Sequence, residues 1–272
     1  MAPFLPGQAG DAVLWAIPYQ VMARNPAAAS ENRIHTDEVA RGYGFQGGLV
    51  PGVTVYGYAS HALLETLGPG WLAHGVTRAR FIAPCYHGEE LVVSVREAGF
   101  EVSAGERTCV VGSASIPAVG RHAIALSPIP AAPALAAEDR PVASEDALPA
   151  GRVLAPVRLA TDWTVLADYL ELIGEPSPVY ATEGLLHPGL LLQGANRILT
   201  ANVVLPVWLH VESAIEHYRV VQVGEPVEVR GRIGRSFERK GHRFVVLDVA
   251  WLVAEETVAV AHHTAIWQLA SR

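Results

Sequence analysis

The segment VTVYGYASHALLETLG (53–68) decides the fold. Its apolar residues fall on every side of a helix, so the helix must be buried on every side. Gly68, Pro69 and Gly70 stop it. Three strand-like runs follow, at roughly 74–83, 89–99 and 106–116, and LVVSVREA within them alternates with period two. A second helical stretch, HPGLLLQGANRILTANV (187–203), is followed by strand-like runs at about 207–220, 226–236, 242–254 and 257–268. Within VEVRGRI, Val227, Val229 and Gly231 share one face, and Glu228, Arg230 and Arg232 share the other. One long apolar helix followed by several long antiparallel strands, twice, predicts an α+β fold in which a curved sheet wraps a helix, twice.

The two parts are related. Pro51-Gly52, Trp71-Leu72 and Gly88-Glu89 recur as Pro188-Gly189, Trp208-Leu209 and Gly224-Glu225, at offsets of 137, 137 and 136 residues. Three landmarks in order at nearly one spacing indicate an internal duplication. Between the copies, residues 117–150 are rich in Ala and Pro and sustain no period, which reads as a linker or a long crossover. The expected organisation is residues 1–117, a linker over 118–150, and residues 151–272.

Composition removes several function classes. The chain has 272 residues, 50% of them hydrophobic and 17% charged, so it can bury a large core and is not disordered. A net charge of −7 excludes a general nucleic-acid binder, which needs a basic footprint. Cys85 and Cys109 form neither a disulfide framework nor a metal motif, and read as core cysteines of a reducing compartment. The start, MAPFLPGQAGDAVLW, has no basic region followed by a continuous apolar one, and no apolar run reaches ~18 residues. A cytoplasmic protein without a membrane span is expected. No histidine spacing suits a metal: His262 and His263 are adjacent, so on a strand they face opposite ways.

ENRIHTDEVARGYGFQGGLVPGVTVYGY (31–58) resembles the MaoC-like, R-specific enoyl-CoA hydratase group of hotdog-fold proteins, and FIAPCYHGEELVV (81–93) is similar to that family's strand pair. The likeness covers roughly 25–115 and recurs faintly over 165–268, as in members with two hotdog units in one chain. The resemblance implies a double hotdog and a function on acyl thioesters of coenzyme A or a carrier protein, with coenzyme A entering only as part of the substrate. It places the family's catalytic histidine on His35, its asparagine on Asn32, and the glycine whose N–H serves the thioester oxygen on Gly52, with Val53 and Tyr56 beside it on the helix. The family's aspartate falls on Ser30, with the carboxylate of Glu31 next door, while Arg33 and Pro51 replace the motif's proline and second histidine. In the second half the matching positions are Tyr180 and Glu175, with His187 two residues before Gly189. That half lacks the histidine–acid pair and is expected to be structural or to shape the acyl tunnel.

Hydration of an enoyl thioester needs a base for water, an acid for Cα and donors for the enolate oxygen. A histidine and a carboxylate can share the first two tasks. A helix N-terminus supplies the third. This reading makes the chain a hydratase or dehydratase with His35 as main acid/base, Glu31 or Ser30 in support, Asn32 as orienter and Gly52 as oxyanion donor. A thioesterase of the same fold, or a non-catalytic thioester-binding protein, is the alternative. His35 also reads as a surface-loop histidine beside a Thr36 or Asp37 helix cap, and Gly52 as ordinary turn chemistry. Arg230 and Arg232, within the basic cluster at 230–243, are candidate contacts to coenzyme A phosphates, or else a solvated sheet face. A monomer of fused units and a homodimer both fit.

Overall fold

The computed structural model describes residues 17–97, 99–118 and 122–270. The N-terminal segment read for a targeting signal lies almost wholly outside the described residues.

Ten strands form one antiparallel sheet: β1 (Tyr19–Met22), β2 (Val76–Phe81), β3 (Glu90–Arg96), β4 (Gly99–Ala104), β5 (Arg107–Ser115), β6 (Val153–Arg158), β7 (Leu209–His217), β8 (Val227–Arg239), β9 (His242–Val253) and β10 (Glu256–Gln268). Their order is β1-β3-β4-β5-β2-β7-β10-β9-β8-β6. The second five repeat the order of the first five in mirror sequence, so the halves meet at the β2–β7 pair, where Arg78 faces Ala214 and Ala79 faces Ser213. The helices are α1 (Asp37–Gly42), α2 (Gly52–Leu67), α3 (Gly70–His74), α4 (Trp163–Ile173), α5 (Val179–Glu183) and α6 (Pro188–Asn202). A 3-10 turn, Arg33–His35, precedes α1, and another, Ala137–Asp139, lies in the Ala/Pro segment.

The central helices are α2 and α6, close to the expected spans. Helix α2 is buried on all sides as far as Leu64, and the hydroxyls of Ser60 and Thr66 bond the carbonyls of Tyr56 and Ala62. It stops at Gly68, whose φ of +78° suits glycine. Helix α6 begins with Pro188, a residue favoured in the first turn. Its buried Asn202 bonds both the N–H and the carbonyl of Ala155, tying the helix to β6. The two helices touch at Gly57 and Gly189: a Cβ on Gly189 would stand 3.0 Å from the Gly57 Cα, and a Cβ at either position would collide with the Tyr169 hydroxyl.

The repeat landmarks share structural roles. Trp71 and Trp208 are both buried, and Gly88 and Gly224 turn with φ of +82° and +88°. Along β8, Val227 and Val229 are fully buried while Glu228 and Arg230 face outward. Cys85 and Cys109 are buried and free. The Ala/Pro segment does more than span a gap. Its Ile124 and Ile129 pack on Ala250, Leu252 and Val260 of the second half's sheet, so β9 and β10 are covered on that side too.

Candidate active site

The site begins at the turn before α1. Asn32 caps the 3-10 turn, its Oδ1 accepting from the Ile34 N–H at 3.4 Å. The same amide reaches across the molecule: Oδ1 accepts from the Trp208 N–H at 3.2 Å, and Nδ2 donates to the Trp208 carbonyl at 3.0 Å. Asn32 therefore clips the first half's loop to the start of β7 in the second half.

That clip fixes His35. Its Nδ1 lies 2.7 Å from the Leu49 carbonyl oxygen, which can only accept, so Nδ1 carries the proton. Nε2 is then the basic nitrogen, and its lone pair accepts from Asn32 Nδ2–H at 3.2 Å. Leu49 is brought there by the loop after α1. The Asp37 carboxylate accepts from the Gly48 N–H at 2.8 Å, and a Cβ on Gly48 would collide with the His35 carbonyl. Burial pushes the His35 pKa below its ordinary value against the opposing Leu49 bond, and so holds the ring neutral at neutral pH.

Gly52 opens α2 beside this ring. The N–H groups of Thr54 and Val55 bond the Pro51 carbonyl, whereas those of Gly52 and Val53 have no partner among the described residues. His35, Asn32 and Gly52 share the wall of a small cavity of about 40 Å³. An adjoining open cleft of about 750 Å³ runs from Ser30, Glu31 and His35, past Val53 and Leu190, to Val165, Tyr169 and Leu172 of α4. That volume suits a small-molecule ligand, and Val165 and Leu172 make its far end mostly apolar, with the exposed Asp168 at its edge.

The other expected residues lie elsewhere. The Ser30 hydroxyl bonds the Asn32 carbonyl. Glu31 stands at the cleft mouth with its side chain 71% exposed, and pairs with Arg140 of the linker at 3.1 Å rather than with His35. Val53 lines the cleft, while Tyr56 is buried on α2 away from both cavities. Arg230 is held by Glu228 and Glu255, and Arg232 by Asp248, on the outward sheet face. Neither lines the cleft, and both are neutralised where they stand. The cations at the cleft are Arg140 and exposed Arg197 of α6. Both were invisible to motif reading, as were Asn196, Trp208 and His210, which complete the small cavity.

The second half's counterpart is closed. Glu175 is buried, with His61 Nδ1 at 2.8 Å from one oxygen and His187 Nε2 at 3.4 Å from the other. Burial raises its pKa, but His187, His61 and the Ser177 N–H outweigh this and bring it down to about 2. His187 Nδ1 accepts the Gly189 N–H at 3.0 Å, and a Cβ on Gly189 would collide with the Tyr169 hydroxyl.

No protein-family model matches the chain, and no curated protein matches it in sequence. Solved structures match over nearly its whole length. One, described as a MaoC domain dehydratase from Chloroflexus aurantiacus J-10-fl, has a TM-score of 0.62 at 10% identity, covering 97% of this chain and 96% of its own. A conserved hypothetical protein from Mycobacterium tuberculosis with a double hotdog fold has a TM-score of 0.59 at 16% identity, covering 91% and 93%. The fold is a double hotdog. The double hotdog architecture is also shared with a protein described as an oleoyl thioesterase from Lactobacillus plantarum, at a TM-score of 0.54 and 10% identity over 92% and 95%. No helix among the described residues is long and apolar enough to cross a membrane.

Proposed function

We propose that the chain is an acyl-thioester hydro-lyase, hydrating 2-enoyl thioesters or dehydrating 3-hydroxyacyl thioesters of coenzyme A or a carrier protein. One observation carries the reading: a neutral His35 with its basic Nε2 aimed by the Leu49 bond, beside unpaired helix-start N–H groups, at the head of an apolar cleft.

The chemistry balances with these groups alone. Nε2 of His35 exchanges its bond from Asn32 Nδ2 for one from water, and takes that water's proton as the water oxygen bonds to C3. The C2=C3 pair moves toward the thioester oxygen, which the Gly52 and Val53 N–H groups receive as negative charge grows. The imidazolium then returns its proton to C2. Acid/base transfer of this kind needs no cofactor beyond the substrate's own carrier. The acyl chain lies along Val53, Leu190, Val165 and Leu172, and Arg197 meets the anionic carrier at the mouth. Dehydratases among the fold neighbours support this class. A thioesterase is the second reading, favoured by Ser30 and by the absence of a carboxylate bond to His35 among the described residues.

Loss of enoyl-thioester absorbance with crotonyl-CoA and longer homologues, read beside a thiol-trapping reagent, tests both. Absorbance loss without thiol release is expected. Thiol release at the same rate would make the chain a thioesterase. Neither signal with folded protein across chain lengths would sink both readings.

A further inference from the structure

The outer face of the sheet carries a groove of about 760 Å³, with Arg78 and Arg80 of β2 on one wall and Arg235 and Arg239 of β8 on the other. Register places the walls on one face: Arg80 stands opposite Glu212, Glu212 opposite Thr264, Thr264 opposite Val246, and Val246 opposite Arg235. The walls are four strand spacings apart, about 19 Å. A bulge between Ile233 and Arg235 makes the second wall. Ile233 points into the core, and the extra residue turns Arg235 outward instead of inward. Glu212 is the one carboxylate in the lining, and Arg78 and Arg80 share it. Arg235 and Arg239 have no carboxylate partner among the described residues. Between the walls, Phe237 and Phe244 stack at 4.8 Å, with Arg235 over the Phe237 ring. An apolar centre flanked by cations thus stands on a chain whose net charge is −7.

Helix α4 offers the opposite chemistry. Its buried residues are Leu166, Tyr169 and Ile173, which turns Trp163, Ala167, Asp168 and Glu171 to the outside. The helix holds no lysine or arginine, and Asp168 and Glu171 have no cationic partner among the described residues. Trp163 leaves 56% of its surface in water, beside those carboxylates. Eleven residues make a rod about 16 Å long and about 10–12 Å across, which fits between walls about 19 Å apart. Helix α4 packs on α2, inside the curved sheet, so it does not reach the groove of its own chain. The acidic helix that meets the groove belongs to a second copy.

We propose that the chain forms a two-fold dimer in which α4 of each copy lies in the arginine groove of the other. Asp168 and Glu171 meet Arg235 and Arg239, and Trp163 seats against Phe237 and Phe244. A two-fold axis makes the contact twice and closes the assembly. Aromatic residues and arginine are the side chains enriched at protein interfaces. The pairing also braces the acyl cleft, because α4 supplies Val165 and Leu172 to its wall. It stands whatever reaction the cleft performs.

Sedimentation equilibrium of the full chain between about 1 and 100 µM reads the assembly, and twice the chain mass is expected. Two charge-reversed variants test the contact, one carrying Arg235→Glu with Arg239→Glu and the other Asp168→Arg with Glu171→Arg. Each should sediment as a monomer, because like charges then face each other. Mixed in equal amounts they should regain twice the chain mass, since each reversed patch meets its opposite on the other chain. A folding fault in either variant would not be repaired by mixing. Two readings do not depend on the reversals: Trp163→Ala should weaken the dimer at least about tenfold, and so should raising salt from about 0.05 to 0.5 M. A wild-type chain that stays monomeric, even one whose groove binds a separate acidic protein, would overturn the proposal. So would a dimer that persists in both reversed variants, folded monomers that fail to pair on mixing, or a dimer indifferent to both salt and Trp163→Ala.

Discussion

The two halves carry the same helix start and treat it in opposite ways. At Gly52 the N–H is unpaired among the described residues and a cavity stands in front of it. At Gly189 the N–H is spent on His187, and the Tyr169 hydroxyl occupies the approach. The first half keeps its histidine beside an open cleft. The second keeps an acid, Glu175, but buries it between His61 and His187. The duplicated scaffold thus treats its two helix starts differently: one is left open beside a cleft, and the other is sealed into a polar knot that joins α2, α6 and the segment after α4.

The contrast is breakable by substitution. His35→Asn should lower kcat for enoyl-thioester hydration by about 10²–10⁴, the range for loss of a general acid/base, while the protein stays folded. Wild-type turnover in that variant would show that the open half is not the reactive one. Glu175→Ala should act in the converse manner. Removing one member of a buried charged cluster costs about 3–5 kcal/mol, read as a lowered denaturation midpoint. Unchanged stability would mean that the sealed half is not held by its knot.

Acid should weaken the fold through buried histidines. His217 and His263 are held neutral by burial, with pKa values down to about 4 and about 3. The unfolded chain binds those protons near pH 6.5, so their contribution is complete above that pH and is lost as pH falls toward 4 and 3. By pH 5 the loss should be about 1–2 kcal/mol per histidine, seen as a falling urea midpoint between pH 7 and 5. A flat profile would contradict it. The acid limb of kcat/KM should lie below 6.5, because His35 works as the neutral base and burial depresses its pKa. The smallest effects belong to Glu31→Gln and Arg230→Ala, each expected to change kcat/KM by less than about twofold, as exposed or neutralised charges do. A tenfold loss at Glu31 would restore it as the partner of His35.

Much of this was written locally in the sequence. The central helices announced themselves by apolar residues on all faces, and His35, Asn32 and Gly52 by one short motif. The edge strands did not: β1 has four residues, and β6 carries Pro156, which an edge strand with a bulge between Leu154 and Val157 tolerates. Strand β4 fell in the gap between the expected runs at 89–99 and 106–116, because six residues are too few to show a period. Helix α4 went unread although Asp162 caps its start and Gly174 its end. The remaining site residues were illegible for a different reason. Trp208 lies 176 positions from Asn32, and only the folded sheet brings it, with Asn196 and His210, against His35. The Arg230–Arg232 stripe misled because spacing shows charge but not the carboxylates that neutralise it.

The central claim, one open helix start and one sealed, is tested most directly by titrating the wild-type chain with a hydrolysis-resistant ketone analogue of an acyl-CoA. The account predicts one molecule bound per chain, with its carbonyl oxygen at the Gly52 N–H. Two molecules per chain, or one seated at Gly189, would contradict it.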